Sequence, residues 1–245
     1  CCVDCLYESN VMNVCVIPAR GGSKRIPRKN IKKFNGKPII AYSIEAALKS
    51  NLFERVIVST DDEEIKRIAE SYGAEVPYIR PIELSGDLSG TIPVIQHAIE
   101  WLEHRNFKLS NICCLYATAP FVNIKTLKKS YEMFKNHNSS YCFGVASFSF
   151  PIQRAVRIAK SGRINMFQPE NFLKRSQDLE DAYHDAGQFC WGRVSAFKEN
   201  EFVFSECSIP YVIPRHLVQD IDTNEDWIRA ELMHQLLNTK GELYD

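Results

Sequence analysis

Features of several common protein classes are absent from this 245-residue chain. No apolar run approaches the about 20 residues that a bilayer-spanning helix needs, so the sequence predicts no membrane span. The 30 basic residues are balanced by 30 acidic ones, which argues against a general nucleic-acid binder. Residues 1–10 lack the basic start and apolar segment of a signal peptide. Without repeats or low-complexity tracts, the chain is expected to form one domain or one domain with an appended lobe.

The nine cysteines form no recognisable metal or disulfide pattern. Their number is odd, and the isolated Cys-x-x-Cys pair of Cys2 and Cys5 has no matching histidine pair. Four other cysteines lie in apolar, strand-like runs, where free cysteine behaves as a small hydrophobic residue. We therefore expect reduced thiols in a cytoplasmic protein. Met12 is a natural start just before the first predicted strand, so residues 1–11 are interpreted as a non-catalytic extension.

Strand and helix patterns alternate along most of the chain, which predicts an α/β fold with a mostly parallel sheet. The predicted strands are residues 14–17, 55–59, 74–79, 111–116 and 141–147. The predicted helices are residues 39–50, 63–72, 91–105, 124–136 and 225–237. Ligand sites in open α/β sheets lie at the carboxyl ends of the strands. The polar residues that follow these strands are therefore expected to meet in one crevice.

The alternation stops at residues 151–175, which are rich in Phe, Arg, Asn and Pro and show no helical period. This composition indicates an inserted lobe or arm, with a long surface loop as the alternative. A regular pattern returns at residues 209–213. The last predicted helix is capped by Thr223, with Asp226 three residues later. Its apolar stripe consists of Ile228, Leu232 and Leu236.

A basic segment with two adjacent glycines, Gly21 and Gly22, follows the first predicted strand. Its five cations are Arg20, Lys24, Arg25, Arg28 and Lys29. Glycine lets backbone N–H groups approach phosphate oxygens and allows positive φ where a turn requires it. The segment has neither the Gly-Lys-Ser/Thr ending of a P-loop nor a Gly-x-Gly-x-x-Gly pattern. It predicts a polyphosphate site of another kind, with a solvated basic loop as the alternative.

Two acidic pairs stand beside predicted helices. Asp220 and Asp222 occupy alternate positions of an extended segment, so both side chains project to one face. A cation between them would relieve their repulsion, and Mg²⁺ favours one or two carboxylates together with phosphate oxygens. The alternative is that one or both carboxylates stabilise the N-terminus of the following helix as anions or caps, although Thr223 is the better capping candidate. The adjacent pair Asp61 and Asp62 is expected to begin a helix rather than to bind metal.

The segment 17–30 resembles the signature of the acylneuraminate (nonulosonic acid) cytidylyltransferases, which make CMP-activated sugar acids from CTP. The segment 219–223 is similar to the metal-binding Asp-x-Asp of that family, and the likeness extends from Met12 onward. Segments 39–44, 116–121 and 183–189 look most like its pseudaminic acid branch. The resemblance implies a doubly wound, mostly parallel, Rossmann-like sheet of the nucleotide-diphospho-sugar transferase type, with an inserted dimerisation arm.

The resemblance also implies an activity. The anomeric hydroxyl of pseudaminic acid would attack CTP to give CMP-pseudaminic acid and pyrophosphate, for surface glycan or flagellin glycosylation. Mg²⁺ is the implied cofactor, with Mn²⁺ as a substitute. The implied assembly is a homodimer in which residues 151–175 of the 12–245 catalytic domain cross to the second subunit. The alternatives are another nonulosonic acid, of the sialic or legionaminic type or less favoured an eight-carbon sugar acid, and a CTP-binding module without turnover.

The site residues that the resemblance implies fall into three groups. Those expected to bind CTP are Ala19, Arg20, Gly21, Gly22, Ser23, Lys29, Asn30, Arg80, Ser89 and Thr91. Those expected to bind the sugar are Tyr116, Thr118, Arg175, Gln177, His184, Asp185 and Gln188. The expected catalytic residues are Arg20, Lys29, Asp220 and Asp222, of which the two aspartates bind the metal.

Some of these assignments have structural alternatives. Arg25 and Arg28 fit either phosphate or solvent, Thr91 is also a candidate helix cap, and His184 fits a structural role. The loop at 116–120 reads Tyr-Ala-Thr-Ala-Pro, where the sialic acid branch has Gln-Pro-Thr-Ser-Pro. Its less polar wall suits the terminal methyl of pseudaminic acid, with packing of Tyr116 behind the site as the alternative.

Overall fold

The computed structural model describes residues 12–86 and 90–241. Its strands are β1 (Met12–Pro18), β2 (Lys33–Phe34), β3 (Lys37–Pro38), β4 (Arg55–Ser59), β5 (Leu109–Leu115), β6 (Tyr141–Ser147), β7 (Val156–Ile158), β8 (Ile164–Met166), β9 (Tyr183–Arg193) and β10 (Ser208–Val212). Its helices are α1 (Ile39–Ser50), α2 (Glu63–Ser71), α3 (Thr91–Glu103), α4 (Ile124–Asn136), α5 (Val194–Lys198) and α6 (Asn224–Thr239). None of these helices is long and apolar enough to cross a membrane.

Six strands form one mixed sheet in the order β10-β6-β9-β5-β1-β4. β1 pairs in parallel with β4 and β5, and β10 pairs in parallel with β6. β9 is antiparallel to both of its neighbours, β5 and β6. The carboxyl ends of β1, β4, β5 and β6 therefore lie at the same edge of the sheet as the beginning of β9.

Helices cover both faces of the sheet because its strands are apolar on both sides. In β1, Cys15 and Ile17 face one buried cluster with residues of α1 and α4. Val14 and Val16 face the opposite cluster, with residues of α3 and α5. Such continuous burial is typical of parallel strands between helical layers. The predicted doubly wound α/β architecture is confirmed.

Most predicted elements occur close to their predicted bounds. The bounds of α1 and α4 match, while α2 ends one residue earlier and α3 two residues earlier than predicted. Asp62 begins α2 by accepting hydrogen bonds from the N–H groups of Glu64 at 3.0 Å and Ile65 at 2.9 Å. The capping box of Thr223 and Asp226 at the start of α6 is also confirmed.

Two expectations about regular structure are wrong. Residues 74–79 form no strand, only two isolated parallel bridges to the β4 region, at Glu75 and Ile79. Pro77 lies between these bridges and has no N–H to donate. The second error is the omission of β9, whose first half is polar and contains Gly187 at a positive φ of 62°. The ladder to β6 also shifts register in this region. The polar first half of β9 therefore shows none of the alternation that predicts a strand.

The apolar stripe of α6 is present but is not the buried face of the helix. Ile228, Leu232 and Leu236 are 60%, 62% and 52% exposed. The opposite side of α6 packs against Phe34 and its neighbours, and its buried residues are Trp227, Ala230, His234 and Leu237. A helix can thus carry two apolar faces, and a stripe alone does not tell which one the core covers.

The predicted arm at residues 151–175 contains the hairpin of β7 and β8 and short 3₁₀ turns. Large apolar side chains on it are exposed, including Ile158, Ile164, Phe172 and Leu173. In the part of the chain that the structure describes, all six cysteines are free thiols. The predicted extension at residues 1–11 lies outside the described residues.

Candidate active site

A cavity of about 300 Å³ opens at the carboxyl edge of the sheet. It brings together many of the predicted site residues, namely Ala19, Arg20, Ser23, Lys29, Asn30, Arg80, Thr91, Tyr116, Thr118 and Asp222. Arg25 and Lys24 of the basic segment also line it. Of the residues expected to converge in one crevice, Arg20, Arg80 and Thr118 line it, whereas the predicted group after β4, residues 60–62, does not. The predicted residue Ser89 lies outside the described residues.

The basic loop after β1 is held in place by the acidic pair after β4. The N–H of Gly21 donates to Oδ1 of Asp61 at 2.9 Å. A Cβ atom on Gly21 would lie 2.6 Å from Oδ2 of Asp62, whereas one on Gly22 would meet nothing within 4 Å. Neither glycine has positive φ, so that part of the expectation is wrong; the left-handed residue of the loop is Arg28, at φ 55°. Gly21 is needed for close approach.

Arg28 fastens the far end of the loop to α2. Its Nη2 lies 2.8 Å from Oδ1 of Asp62 and 2.5 Å from Oε2 of Glu64. The hydrogen bond from Arg28 lowers the pKa of Asp62 to about 2. Arg28 is therefore engaged in loop structure, and it does not line the cavity. Arg28 was expected either to contact phosphate or to be solvated, and its pairing with Asp62 and Glu64 is neither of these.

Arg80 brings a buried positive charge to the other side of the cavity. It is 4% exposed, and its guanidinium donates to the backbone oxygen of Ser59 at 3.2 Å and to Oγ of Ser85 at 3.2 Å. Burial lowers its pKa, nearby Asp61 opposes that shift, and the positive charge of Arg20 adds to the lowering. Arg20 also lines the cavity, so two guanidinium groups border the same space, which favours the binding of an anion there.

The opposite wall of the cavity joins the basic loop to the segment before α6. Nζ of Lys29 donates to the backbone oxygen of Ile221 at 2.7 Å and lies 3.4 Å from Oδ1 of Asp222. Nη1 of Arg25 lies 2.9 Å from Oδ2 of the same carboxylate. Arg25 is thus paired with a site residue instead of being merely solvated. This part of the cavity carries alternating positive and negative charge.

The side chain of Asn30 holds the backbone of the basic loop through a hydrogen bond to Arg20. Its side chain is 8% exposed, and Nδ2 donates to the backbone oxygen of Arg20 at 2.9 Å. A buried amide with a satisfied donor gives the loop one defined conformation.

The donor set at residues 220–222 is consistent with a hard divalent cation. Asp222 lines the cavity, Asp220 is exposed and does not, and Ile221 between them is 1% exposed in the core. Within residues 12–86 and 90–241, no three His, Cys, Asp or Glu side chains gather as a metal cage. One or two carboxylates completed by substrate phosphates and water are the usual environment of Mg²⁺. The residues present therefore fit that ion.

Tyr116 and Thr91 form the inner end of the cavity. Burial raises the pKa of the Tyr116 phenol, and the Thr91 hydroxyl beside it partly opposes the shift. The backbone of Tyr116 is held on both sides, by Oγ of Ser43 at 2.8 Å and by the backbone oxygen of Gln188 at 2.9 Å. Gly90 is the N-cap of α3, so Thr91 keeps its hydroxyl available to the cavity.

The remaining residues expected to bind the sugar do not line this cavity. Arg175 and Gln177 are exposed in the chain segment that follows the arm hairpin, and Arg175 pairs with Asp178 through Nε and Oδ2 at 2.8 Å. Gln188 is 3% exposed and donates through Nε2 to the backbone oxygen of Leu217 at 2.6 Å. That bond supports the connection leading to Asp220.

His184 and Asp185 lie at the beginning of β9. Nδ1 of His184 is 2.8 Å from the backbone oxygen of Asp185, and its ring contacts Phe148 edge-on. The Asp185 carboxylate accepts the N–H of Gly187 at 2.8 Å. Burial raises the pKa of Asp185, and the charge of Asp220 contributes in the same direction.

Asp61 was predicted to meet the other strand-end residues at the crevice and to begin α2 together with Asp62, but it was not placed among the predicted site residues. In the structure Asp62 alone caps α2, and Asp61 accepts the N–H of Gly21. The available signal was its position directly after the parallel neighbour of β1, where its side chain can reach the loop that follows β1.

Comparison with known proteins identifies the family. The cytidylyltransferase family model matches residues 14–218. The chain is 47% identical over 224 residues to the pseudaminic acid cytidylyltransferase of Campylobacter jejuni, covering 91% of this chain and 97% of that protein. It is 32% identical over 228 residues to the CMP-N,N'-diacetyllegionaminic acid synthase of Legionella pneumophila, covering 90% and 95% of the two chains.

A solved structure of CMP:2-keto-3-deoxy-manno-octonic acid synthetase complexed with CTP shares the fold, with a TM-score of 0.67 and 16% identity over 93% of this chain and 99% of that one. The match of the family model covers more than half of the chain and includes the loop after β1 and every residue that lines the cavity except Asp222. The chain therefore belongs to the cytidylyltransferase family.

Proposed function

We propose that this protein transfers CMP from CTP to the anomeric hydroxyl of pseudaminic acid and releases pyrophosphate. The observation that carries the proposal is the full-length similarity to the Campylobacter enzyme that bears this name. The cavity supplies matching chemistry, because cationic groups converge on it at the carboxyl edge of a nucleotide-binding fold. Positioning and electrostatics supply most of the catalysis in transfers of this kind.

The cations of the cavity would hold the triphosphate. Arg20 and Lys29 are assigned to the β- and γ-phosphates, which leave together as pyrophosphate. Arg80, buried across the cavity, is assigned to the nucleoside side with Thr91. Arg20 and Arg80 come from different parts of the chain and both line the cavity, so each can contact a different end of a bound nucleotide. Ala19, Gly21, Gly22, Ser23 and Asn30 are assigned to shaping the loop around the phosphates.

Asp222, with Asp220 beside it, is assigned to holding Mg²⁺, or Mn²⁺ in its place. When bound, the ion would neutralise charge at the α-phosphate and help to align the attacking hydroxyl. Asp222 is at present neutralised by Lys29 and Arg25. Incoming phosphates would give those two cations new partners and leave the carboxylate to the ion. We therefore assign Lys29 and Arg25 to pair with Asp222 before CTP binds and with the phosphates of CTP afterwards.

Tyr116 and Thr118 are assigned to the sugar wall nearest the reacting phosphate. At this position the sialic acid branch has a Gln, whose amide would suit a sugar hydroxyl. The ring of Tyr116 instead offers an apolar surface, which favours a sugar with a terminal methyl. His184, Asp185 and Gln188 are assigned to the same region because β9 begins at the same sheet edge. Arg175 and Gln177 are assigned to the sugar site of a second subunit.

The arm is assigned to a homodimer interface. Ile158 and Leu173 are 78% and 89% exposed, and large apolar side chains clustered on one excursion are typical of a surface that another protein covers. The partner proposed is a second copy of this chain. The free thiols are the basis for a cytoplasmic location, where cysteines stay reduced.

A substrate panel tests the proposed function. The protein is incubated with CTP, Mg²⁺ and, separately, pseudaminic, legionaminic and N-acetylneuraminic acids, and pyrophosphate release is measured. We expect the highest kcat/KM with pseudaminic acid. Equal or better kcat/KM with another nonulosonic acid would overturn the sugar assignment alone. CTP binding without pyrophosphate release for any sugar acid would favour the non-catalytic module.

A further inference from the structure

The carboxylate of Asp61 lies between the loop after β1 and the guanidinium of Arg80, which lines the cavity. Its Oδ1 accepts the N–H of Gly21 at 2.9 Å on the phosphate loop. The same oxygen lies 3.9 Å from Nη2 of Arg80, whose side chain is 3% exposed, while that of Asp61 is 22% exposed. The loop after β1 and the segment after residues 74–79 have no sequence proximity, so this oxygen joins two distant parts of the chain.

Asp61 is the negative charge that the structure sets beside the Arg80 guanidinium. The same guanidinium also donates hydrogen bonds to neutral oxygens, the backbone oxygen of Ser59 and Oγ of Ser85. Asp61 opposes the lowering of the Arg80 pKa by burial. A buried cation that loses its counter-charge moves or draws in water, because burying an unpaired charge is unfavourable.

Asp61 does not cap α2, because Asp62 is the N-cap of that helix. Asp62 caps α2 and pairs with Arg28, so helix initiation does not explain the acidic residue before it. From these contacts we propose that Asp61 is a positioning residue of the nucleotide site. It fixes the Gly21 amide and the Arg80 guanidinium at one spacing, so that the phosphate end and the nucleoside end of CTP are held together. The inference rests on the proposed use of CTP.

The expected sign distinguishes positioning from simple electrostatics. Removing a negative charge beside a phosphate site would by itself tighten the binding of CTP. If Asp61 positions the site, removing it weakens CTP instead. Asp61→Asn keeps an oxygen for the Gly21 N–H but removes the charge facing Arg80, and Asp61→Ala removes both. Positioning therefore predicts a graded loss, with the alanine variant weaker than the asparagine variant.

Calorimetry with CTP measures binding without turnover, and steady-state kinetics then gives KM for CTP and for the sugar separately. We expect Asp61→Ala to weaken CTP binding by about tenfold or more, the usual size for a lost charged contact, with Asp61→Asn between it and wild type. The KM for the sugar should stay unchanged. Glu63→Gln, which removes an exposed acid two residues away, should bind CTP like wild type.

Each outcome separates the claims. Unchanged or tighter CTP binding in Asp61→Ala, with wild-type binding intact, would overturn the role of Asp61 and leave the proposed function standing. A loss of kcat alone, with KM and affinity unchanged and a lower thermal midpoint, would mean a purely structural role and also overturn it. Wild-type protein that fails to bind CTP would overturn the proposed function and this inference with it.

Discussion

The ammonium of Lys29 lies 3.4 Å from Oδ1 of Asp222, a residue 193 positions later in the chain. This contact joins the loop after the first strand to the segment that begins the last helix. A second contact, from Lys29 to the backbone oxygen of Ile221, fixes the approach. The cavity is therefore lined by two segments that are far apart in the sequence, and its charge balance depends on both.

Asp222→Asn is expected to lose most of the turnover while the fold is kept. The amide has the shape of the carboxylate, but it lacks the charge that a divalent ion requires, and a loss of about a hundredfold or more in kcat/KM is typical of such a change. Asp220→Asn should have a smaller effect, because Asp220 does not line the cavity. The measurement is pyrophosphate release as a function of Mg²⁺ concentration.

Glu225→Gln is the matched control for Asp222→Asn, since it removes an exposed acid from the same segment. It should behave like wild type. If Asp222→Asn keeps a near-wild-type rate at limiting Mg²⁺, the assignment of the ion to this carboxylate is wrong.

Gly21→Ala and Gly22→Ala should differ sharply although the glycines are adjacent. A Cβ atom at Gly21 would lie 2.6 Å from Oδ2 of Asp62, and one at Gly22 would meet nothing within 4 Å. Gly21→Ala must move the loop or the cap of α2, at a cost of about 1–3 kcal/mol in unfolding free energy, and should weaken CTP use. Gly22→Ala should match wild type in thermal unfolding and should raise the KM for CTP less than Gly21→Ala does. Equal behaviour of the two variants would contradict the packing described here.

Replacing both Ile158 and Ile164 with Ser is expected to convert a dimer into monomers. These side chains of the arm hairpin are 78% and 67% exposed, and removing apolar area from an interface weakens association. Light scattering on the purified protein gives the mass directly. Ile82→Ser is the control, because Ile82 is 80% exposed outside the arm. A double variant that stays dimeric, or a wild-type protein that is monomeric, would refute the arm as the interface.

The stability of the protein should fall as the pH decreases from about 6.5 to about 4 because of His234. His234 is 4% exposed on the buried face of α6, and burial lowers its pKa to about 4. In this window the unfolded chain takes up a proton that the folded protein excludes, so acid favours unfolding. The effect reaches about 3 kcal/mol for a shift of this size.

Denaturant unfolding at several pH values measures this dependence. His234→Asn keeps an acceptor for Nδ2 of Asn35, which lies 3.3 Å from Nδ1 of the histidine, and should flatten the slope. His104→Asn alters an exposed histidine and should retain it. A wild-type slope in His234→Asn would assign the acid sensitivity to other groups.

Local signals made much of the fold predictable. The caps of α2, α4 and α6 and the apolar runs of β1 and β4 depend on neighbours in sequence, and these elements occur where expected. β9 was missed because its position between β5 and β6 is set by long-range pairing. The burial of Trp227 and His234, in place of the Ile228 stripe, likewise depends on what lies opposite in the fold.

The predicted site was recovered in part for the same reason. Residues that follow strands, such as Arg20 after β1 and Tyr116 after β5, reach the cavity because the sheet edge brings strand ends together. Arg175 does not reach the cavity. It lies after the arm hairpin and pairs with Asp178, and the course of such a surface segment is not set by the sheet. The role of Asp61 required knowing that its oxygen faces Gly21, which no spacing in the sequence reveals.

The place of β9 in the sheet has a consequence for the order of synthesis. A ribosome completes β5 and β6 long before residues 183–193 emerge, yet these two strands meet only through β9. Until then each has an unpaired edge, a known route to aggregation of nascent chains. Products truncated before residue 183 should therefore be recovered as insoluble fragments, while β1, β4 and β5 can already pair.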